Sequence, residues 1–198
     1  MRTTFIAVVA VLALNLMPAS ALITEGGGGI YYGKTYAFHV KAPKGWMFDN
    51  ESGVEQGLYC VFYPKGSNWQ DSPVIAYARA LDRTKTVQTA DDAAKEAVDD
   101  FHARGNPKYE GKRVKTIKTK NGKEGVIYHF SGDKYGSYEA MVYFVEEKTI
   151  NTVILNARQQ KAFESALPAF DQIAESYIFL GDAPLKGSGA KTTPAKKK

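Results

Sequence analysis

Gly125-Val126-Ile127-Tyr128-His129-Phe130, Tyr138-Glu139-Ala140-Met141-Val142-Tyr143-Phe144-Val145 and Ile150-Asn151-Thr152-Val153-Ile154-Leu155-Asn156-Ala157 are the three runs that decide the fold. Each is rich in β-branched and aromatic residues and bounded by turn formers, which predicts an antiparallel meander. Val126, Tyr128 and Phe130 with Met141, Tyr143 and Val145 fill one side; Ile127, Val142 and Phe144 make the other side apolar too. A sheet apolar on both sides needs cover on both sides. Upstream, Asn121-Gly122 is a strong hairpin signal and joins a fourth strand, Lys112 to Lys120, to the meander. That strand is dense in lysine, with Val114 and Ile117 as its few apolar members, and reads as a sheet edge. Downstream, Ala162 to Leu180 carries Phe163, Ala166, Leu167, Phe170, Ile173, Ala174 and Tyr177 at spacings of three and four, an amphipathic helix. Pro168 inside it predicts a kink or break between Ser165 and Pro168.

The first half of the chain supplies the rest of the sheet. Ile30-Tyr31-Tyr32 and Thr35 to Val40 read as a small hairpin around Gly33-Lys34, with Tyr36, Phe38 and Val40 on one side and His39 and Lys41 on the other. Pro43-Lys44-Gly45 turns the chain into Trp46-Met47-Phe48. Gly57 to Tyr63 and Pro73 to Leu81 are two further strands. The polar loop between them carries Trp69 at its centre, either a lid over the core or a contact surface. Thr89 with Asp92 three positions on is a reciprocal helix cap, and Ala94, Ala97, Val98 and Phe101 give the following helix a narrow apolar stripe. Arg104-Gly105-Asn106-Pro107 ends it.

Arg2, an apolar run from Phe5 to Leu16 and the ending Ala19-Ser20-Ala21 compose a signal peptide cleaved after Ala21, so residues 1–21 predict a periplasmic or secreted protein. The four glycines closing residues 22–29 read as a flexible leader, residues 30–180 as one domain, and residues 181–198 as a disordered lysine-rich tail. The formal charge of +5 is not spread evenly: residues 22–181 hold 20 basic and 20 acidic side chains, whereas the tail has five lysines against Asp182. A neutral body argues against nucleic acid, and no second apolar stretch is long enough to cross a membrane. The lone cysteine, Cys60, has no disulfide partner, and its strand of large apolar neighbours makes it a buried small hydrophobe, not a nucleophile.

The motifs of chemistry are missing. His39, His102 and His129 are isolated from one another and from acids at ligand spacing, which predicts no metal site. No Gly-x-Ser-x-Gly or phosphate loop occurs, and Gly26 to Gly29 precedes a strand, not a helix, so no catalytic residue or cofactor is assigned. Asp91, Asp92, Glu96, Asp99 and Asp100 ring a solvated helix face. Lys108, Lys112, Arg113, Lys115, Lys118, Lys120 and Lys123 offer a basic patch without the interleaved aromatics of single-strand nucleic acid binding.

Phe38-x-Val40-x-Ala42-Pro43-x-Gly45-Trp46 near the start, with Phe163, Ala166-Leu167-Pro168-x-Phe170 and Ser176-Tyr177-x-Phe179 near the end, resembles the PsbP-like fold family, including the DcrB-like exported bacterial proteins. The resemblance spans residues 30–180 and implies an α+β domain: an antiparallel sheet of about six to seven strands with helices on both faces. It also implies a non-catalytic binding or assembly role. No ion-binding motif of that family maps onto these residues. The expectation is a monomer that binds a protein or envelope partner through exposed aromatics, Trp46, Tyr63, Trp69 and Tyr135. Two other readings are a small-ligand carrier with a closed pocket between sheet and helix, and a hydrolase pairing a histidine with a carboxylate in a cleft.

Overall fold

The computed structural model describes residues 23–33 and 36–181. Residues 1–22, with the expected signal peptide, and all of the expected tail beyond Gly181 lie outside the described residues, as do Lys34 and Thr35 in the first hairpin. In chain order the elements are β1 (Ile23–Glu25), β2 (Gly28–Tyr32), β3 (Ala37–Lys41), β4 (Trp46–Asp49), β5 (Tyr59–Pro64), β6 (Val74–Asp82), α1 (Ala90–Ala103), β7 (Glu110–Lys118), β8 (Glu124–Ser131), β9 (Tyr138–Val145), β10 (Thr149–Ala157), α2 (Gln160–Glu175) and β11 (Ile178–Gly181). They form an eight-stranded antiparallel sheet in the order β1-β4-β5-β6-β10-β9-β8-β7 and a three-stranded antiparallel sheet in the order β11-β3-β2. The expected meander is present as β7 to β10, and lysine-rich β7 is an edge strand.

The fold is mixed α+β, with a large antiparallel sheet and two helices. Its strand count corrects the six to seven expected: eleven strands occur among the described residues. One added strand comes from the glycine-rich stretch. Far from being a loose leader, it holds β1, whose Ile23 to Glu25 pair with Asp49 to Met47, and the start of β2. A Cβ on Gly29 would stand 2.0 Å from the Phe48 ring, and one on Gly28 2.9 Å from the Val40 carbonyl oxygen. These glycines let the backbone lie directly on packed atoms, a close approach that composition does not distinguish from flexibility.

The second added strand is β11. The expected helix to Leu180 stops at Glu175, and Ile178 and Phe179 pair with His39 and Phe38 of β3. Ser176 makes the stop: its Oγ accepts the Lys41 N–H at 2.8 Å and donates to the Ile173 carbonyl at 2.6 Å, tying the helix end to β3. Pro168 does not break α2, which runs continuously from Gln160 to Glu175. The proline is on the exposed side, where the carbonyl it leaves unbonded can meet water. Helix α1 starts at the expected cap, with the Thr89 side chain accepting from the Asp92 N–H and Asp92 from the Thr89 N–H.

Alternate side chains of β8 and β9 divide between two apolar clusters, as a period of two requires. The first joins Ile127, Val142 and Phe144 to Phe38, Val40, Phe62 and the α2 residues Phe163, Phe170 and Ile173. The second joins Tyr128, Phe130 and Tyr143 to Tyr109, Ile150 and the α1 residues Ala90, Ala93 and Ala94.

The close approach at the amino-terminal strands makes a measurable difference. Gly29→Ala places a methyl inside the Phe48 ring and should destabilise the fold by about 1–3 kcal/mol in urea unfolding, where a flexible leader would tolerate it. Thr89→Ala should cost about 1 kcal/mol in the same assay.

Candidate functional site

The four aromatics singled out in the sequence fall in three different environments. Trp46 is buried, contrary to the expected exposure. The left-handed turn at Gly45 (φ 82°) leads into β4, and Trp46 and Phe48 both point into the first cluster. Tyr63 is buried as well, because its hydroxyl donates to Asp49 Oδ2 at 3.0 Å. Asp49 is fully buried and also accepts the amides of Glu51 and Ser52. Burial alone would raise the Asp49 carboxyl, but the hydrogen bonds from Ser52, Glu51 and Tyr63 outweigh it and hold the group below its usual range. Tyr63 is correspondingly pushed up to about 12, by burial first and then by Asp49. Trp69 is half-buried, in a loop braced by Asn68, whose Oδ1 accepts the amides of Gln70 and Asp71.

Tyr135 alone of the four is exposed. It is 77% accessible, against 45% for Val114, the next most exposed large hydrophobic among the described residues. The loop that carries it is held in one shape. Asp133 Oδ1 accepts the amides of Tyr135 at 3.0 Å and Ser137 at 2.8 Å, and the Gly136 amide donates to the Asp133 carbonyl. The Lys134 amide donates to Oδ1 of buried Asn106, whose Nδ2 donates back to the Phe101 carbonyl near the end of α1. Gly132, at φ 91°, has no room for a Cβ, which would lie 2.0 Å from the Lys108 carbonyl oxygen. Lys134 Nζ sits 5.1 Å from the centroid of the Tyr135 ring. The ring is therefore presented on a framework and not left on a loose tip.

Ser131 and Tyr138, at the two ends of this loop, line an open cleft of about 440 Å³ together with His129, Phe163, Glu164 and Leu167. The His129 ring meets Phe163 edge-on at 5.1 Å between centroids. Burial, helped by Lys115 and opposed by Asp171, lowers the His129 imidazole below its usual value. The arrangement a hydrolase needs is not assembled: among the described residues no histidine hydrogen-bonds a carboxylate. His102 Nε2 meets the Tyr109 carbonyl at 2.7 Å, and His39 is half-buried between glycine-rich β2 and β11. A second open cleft, of about 570 Å³, lies between Lys41, Lys44, Lys120 and Glu175. Neither is the closed apolar cavity a ligand carrier requires.

The basic strand is largely neutralised by the chain itself. Arg113 faces Asp91, Lys115 faces Asp171, Lys118 faces Glu124 and Lys123 faces Glu146. Two of those carboxylates are on helices and far away in sequence. Cys60 is buried as expected, and burial pushes its thiol up to about 12. It also occupies a bulge of β5 with φ 51°, which nothing in the sequence indicates. Among the described residues, no three His, Cys, Asp or Glu side chains stand together as metal ligands do, and no helix is long and apolar enough to cross a membrane.

Sequence reasoning also missed a buried carboxylate. Glu139 accepts the Tyr109 hydroxyl at 2.6 Å and Asn156 Nδ2 at 2.7 Å, linking the residue just before β7 to β9 and β10. A glutamate in a strand of apolar residues is the only hint the sequence carries.

No family model matches the chain, and no curated protein is similar to it. Among solved structures, the solution structure of cyanobacterial PsbP (CyanoP) from Synechocystis sp. PCC 6803 is similar to it, at 13% identity and a TM-score of 0.49, over 83% of this chain and 98% of that one. The stretches around Phe38 and Phe163 resemble the same family. No residue role, ligand or partner follows from the likeness.

The half-buried histidines give the fold a pH dependence of definite sign. Burial disfavours the imidazolium of His129 and His39, so the unfolded chain binds protons that the native state does not. Stability is complete above the usual histidine value of 6.5 and falls as the pH drops through it toward the lowered folded values. Urea midpoints should fall between about pH 7.5 and about pH 5, and His129→Gln should flatten that slope.

Proposed function

We propose that the chain is an exported, non-catalytic binding or assembly domain that engages a protein partner through the loop of Tyr135. The single observation behind this reading is that the most exposed large hydrophobic residue of the described body is also held by a dedicated hydrogen-bond framework. A rigid aromatic loses little conformational freedom on docking, which is why tyrosines recur among the side chains that dominate interfaces. Lys134, against the ring, and the half-open cleft of His129 and Phe163 next to the loop supply a polar and an apolar neighbour for the same contact. Export rests on the pattern of residues 1–21, and the buried or chain-paired state of the titratable candidates supports binding over catalysis.

The test is affinity capture from the native envelope fraction with residues 22–198 and with the Tyr135→Ala variant. One partner retained by the first and lost by the second, with unchanged circular dichroism, is the expected result. Its affinity should drop by about 2 kcal/mol or more. Identical capture by both forms would remove Tyr135 from the interface.

A further inference from the structure

The open cleft beside the Tyr135 loop is built from one end of the meander and the first half of α2. In the β7–β8 register Glu110 stands opposite Ser131 and Lys112 opposite His129, and all four line the cleft. Helix α2 contributes Phe163, Glu164 and Leu167, spaced so that one side of successive turns faces the strands. Phe163 is buried and forms the floor. Its ring meets His129 edge-on at 5.1 Å and Tyr138 at 6.0 Å between centroids. His129, Tyr138 and Leu167 are half-buried and make the walls, two of them flat rings.

Charge selects the occupant. Glu110, Glu164 and Lys112 are exposed at the rim, and none of the three makes an ion pair among the described residues, whereas Arg113, Lys115 and Lys118 of the same strand all do. Glu164 accepts Gln160 Nε2 at 2.9 Å through Oε1. Two uncommitted carboxylates against one ammonium leave the rim net negative. His129 adds no positive charge at neutral pH, because burial holds its imidazole below the usual value, and nearby Lys115 is committed to Asp171. An aliphatic guest would strip water from the carboxylates without replacing its hydrogen bonds, and an acidic guest would meet two like charges. A guanidinium suits both walls and rim: it is planar, stacks on aromatic rings and takes carboxylates in forked hydrogen bonds. A lysine ammonium is a compact point charge that holds its water more strongly.

We propose that the cleft receives an arginine side chain of the protein that docks on the Tyr135 loop, stacked on the aromatic wall and facing the carboxylates of Glu110 and Glu164. This rests on the reading of that loop as a protein contact and names the chemistry of the residue beside it. Ser131 and Tyr138 end the loop and line the cleft, so one segment of a partner can span both.

The test is a titration of residues 22–198 with N-acetyl-arginine N-methylamide, followed by amide chemical shifts, beside the citrulline and lysine analogues. Citrulline keeps the shape of arginine without its charge. The expected result is a saturable shift confined to Ser131, Tyr138 and residues 160–164, with binding about fivefold weaker for citrulline and for lysine. The double variant Glu110→Gln and Glu164→Gln should weaken arginine binding about fivefold, and Lys112→Gln, which removes the one opposing charge, should strengthen it about twofold. All three positions are exposed, and unchanged shifts elsewhere verify the fold. An equal response to citrulline or to lysine, indifference to the glutamine pair, or no saturable shift in the cleft would each overturn the proposal. The probe needs no partner, so a silent cleft does not touch the role of Tyr135, and capture indifferent to Tyr135→Ala does not touch the cleft.

Discussion

Tyr177 is where the two sheets and α2 are joined. Its ring stacks on Phe144 of β9, with centroids 4.0 Å apart and planes within 5°, and leans on Phe38 of β3 at 5.4 Å. Its hydroxyl accepts from Asn151 of β10 at 2.8 Å and donates to Glu146 at 2.9 Å, and Glu146 in turn holds the ammonium of Lys123. One buried side chain thus fixes the large sheet, the small sheet and the end of the helix relative to one another. Ser176 ends the helix against Lys41, and Tyr177 enters that stack directly after it. The next four residues are left to pair with β3, and the small sheet gains its third strand.

Elements whose evidence is local were readable in the sequence. The meander, the Asn121-Gly122 hairpin and the Thr89 cap depend on residues a few positions apart, and the structure reproduces them. The elements that were misread depend on contacts across the chain. Gly28 and Gly29 are compact because of Val40 and Phe48, and a run of glycines has the same composition whether it is solvated or pressed against an aromatic ring. Helical spacing runs on through Tyr177, so periodicity overshoots; the stop comes from Lys41, 135 residues away from Ser176. Trp46 and Tyr63 were judged from the loops beside them, whereas the alternation of their strands and the buried carboxylate of Asp49 decide their exposure.

The Tyr135 loop was legible only in part for the same reason. A tyrosine between Lys134 and Gly136 in a polar loop is easily recognised as exposed. That it is held still is a fact about Asn106, which lies beyond the end of α1 and reaches the loop through one amide. The basic strand was misleading in the opposite direction. Counted along the sequence it is a cluster of cations, but Asp91 and Asp171 are brought to it by the two helices. Folding turns a formal patch into ion pairs, each worth little at an exposed site but sufficient to cancel its field.

That cancellation matters for how the molecule meets other surfaces. A body with equal numbers of basic and acidic groups, locally paired, exerts little force beyond a Debye length. The Tyr135 loop belongs to a connection between two strands of the large sheet, and owes its shape to α1. Recognition through that loop, as proposed, requires no change in the packing around Tyr177.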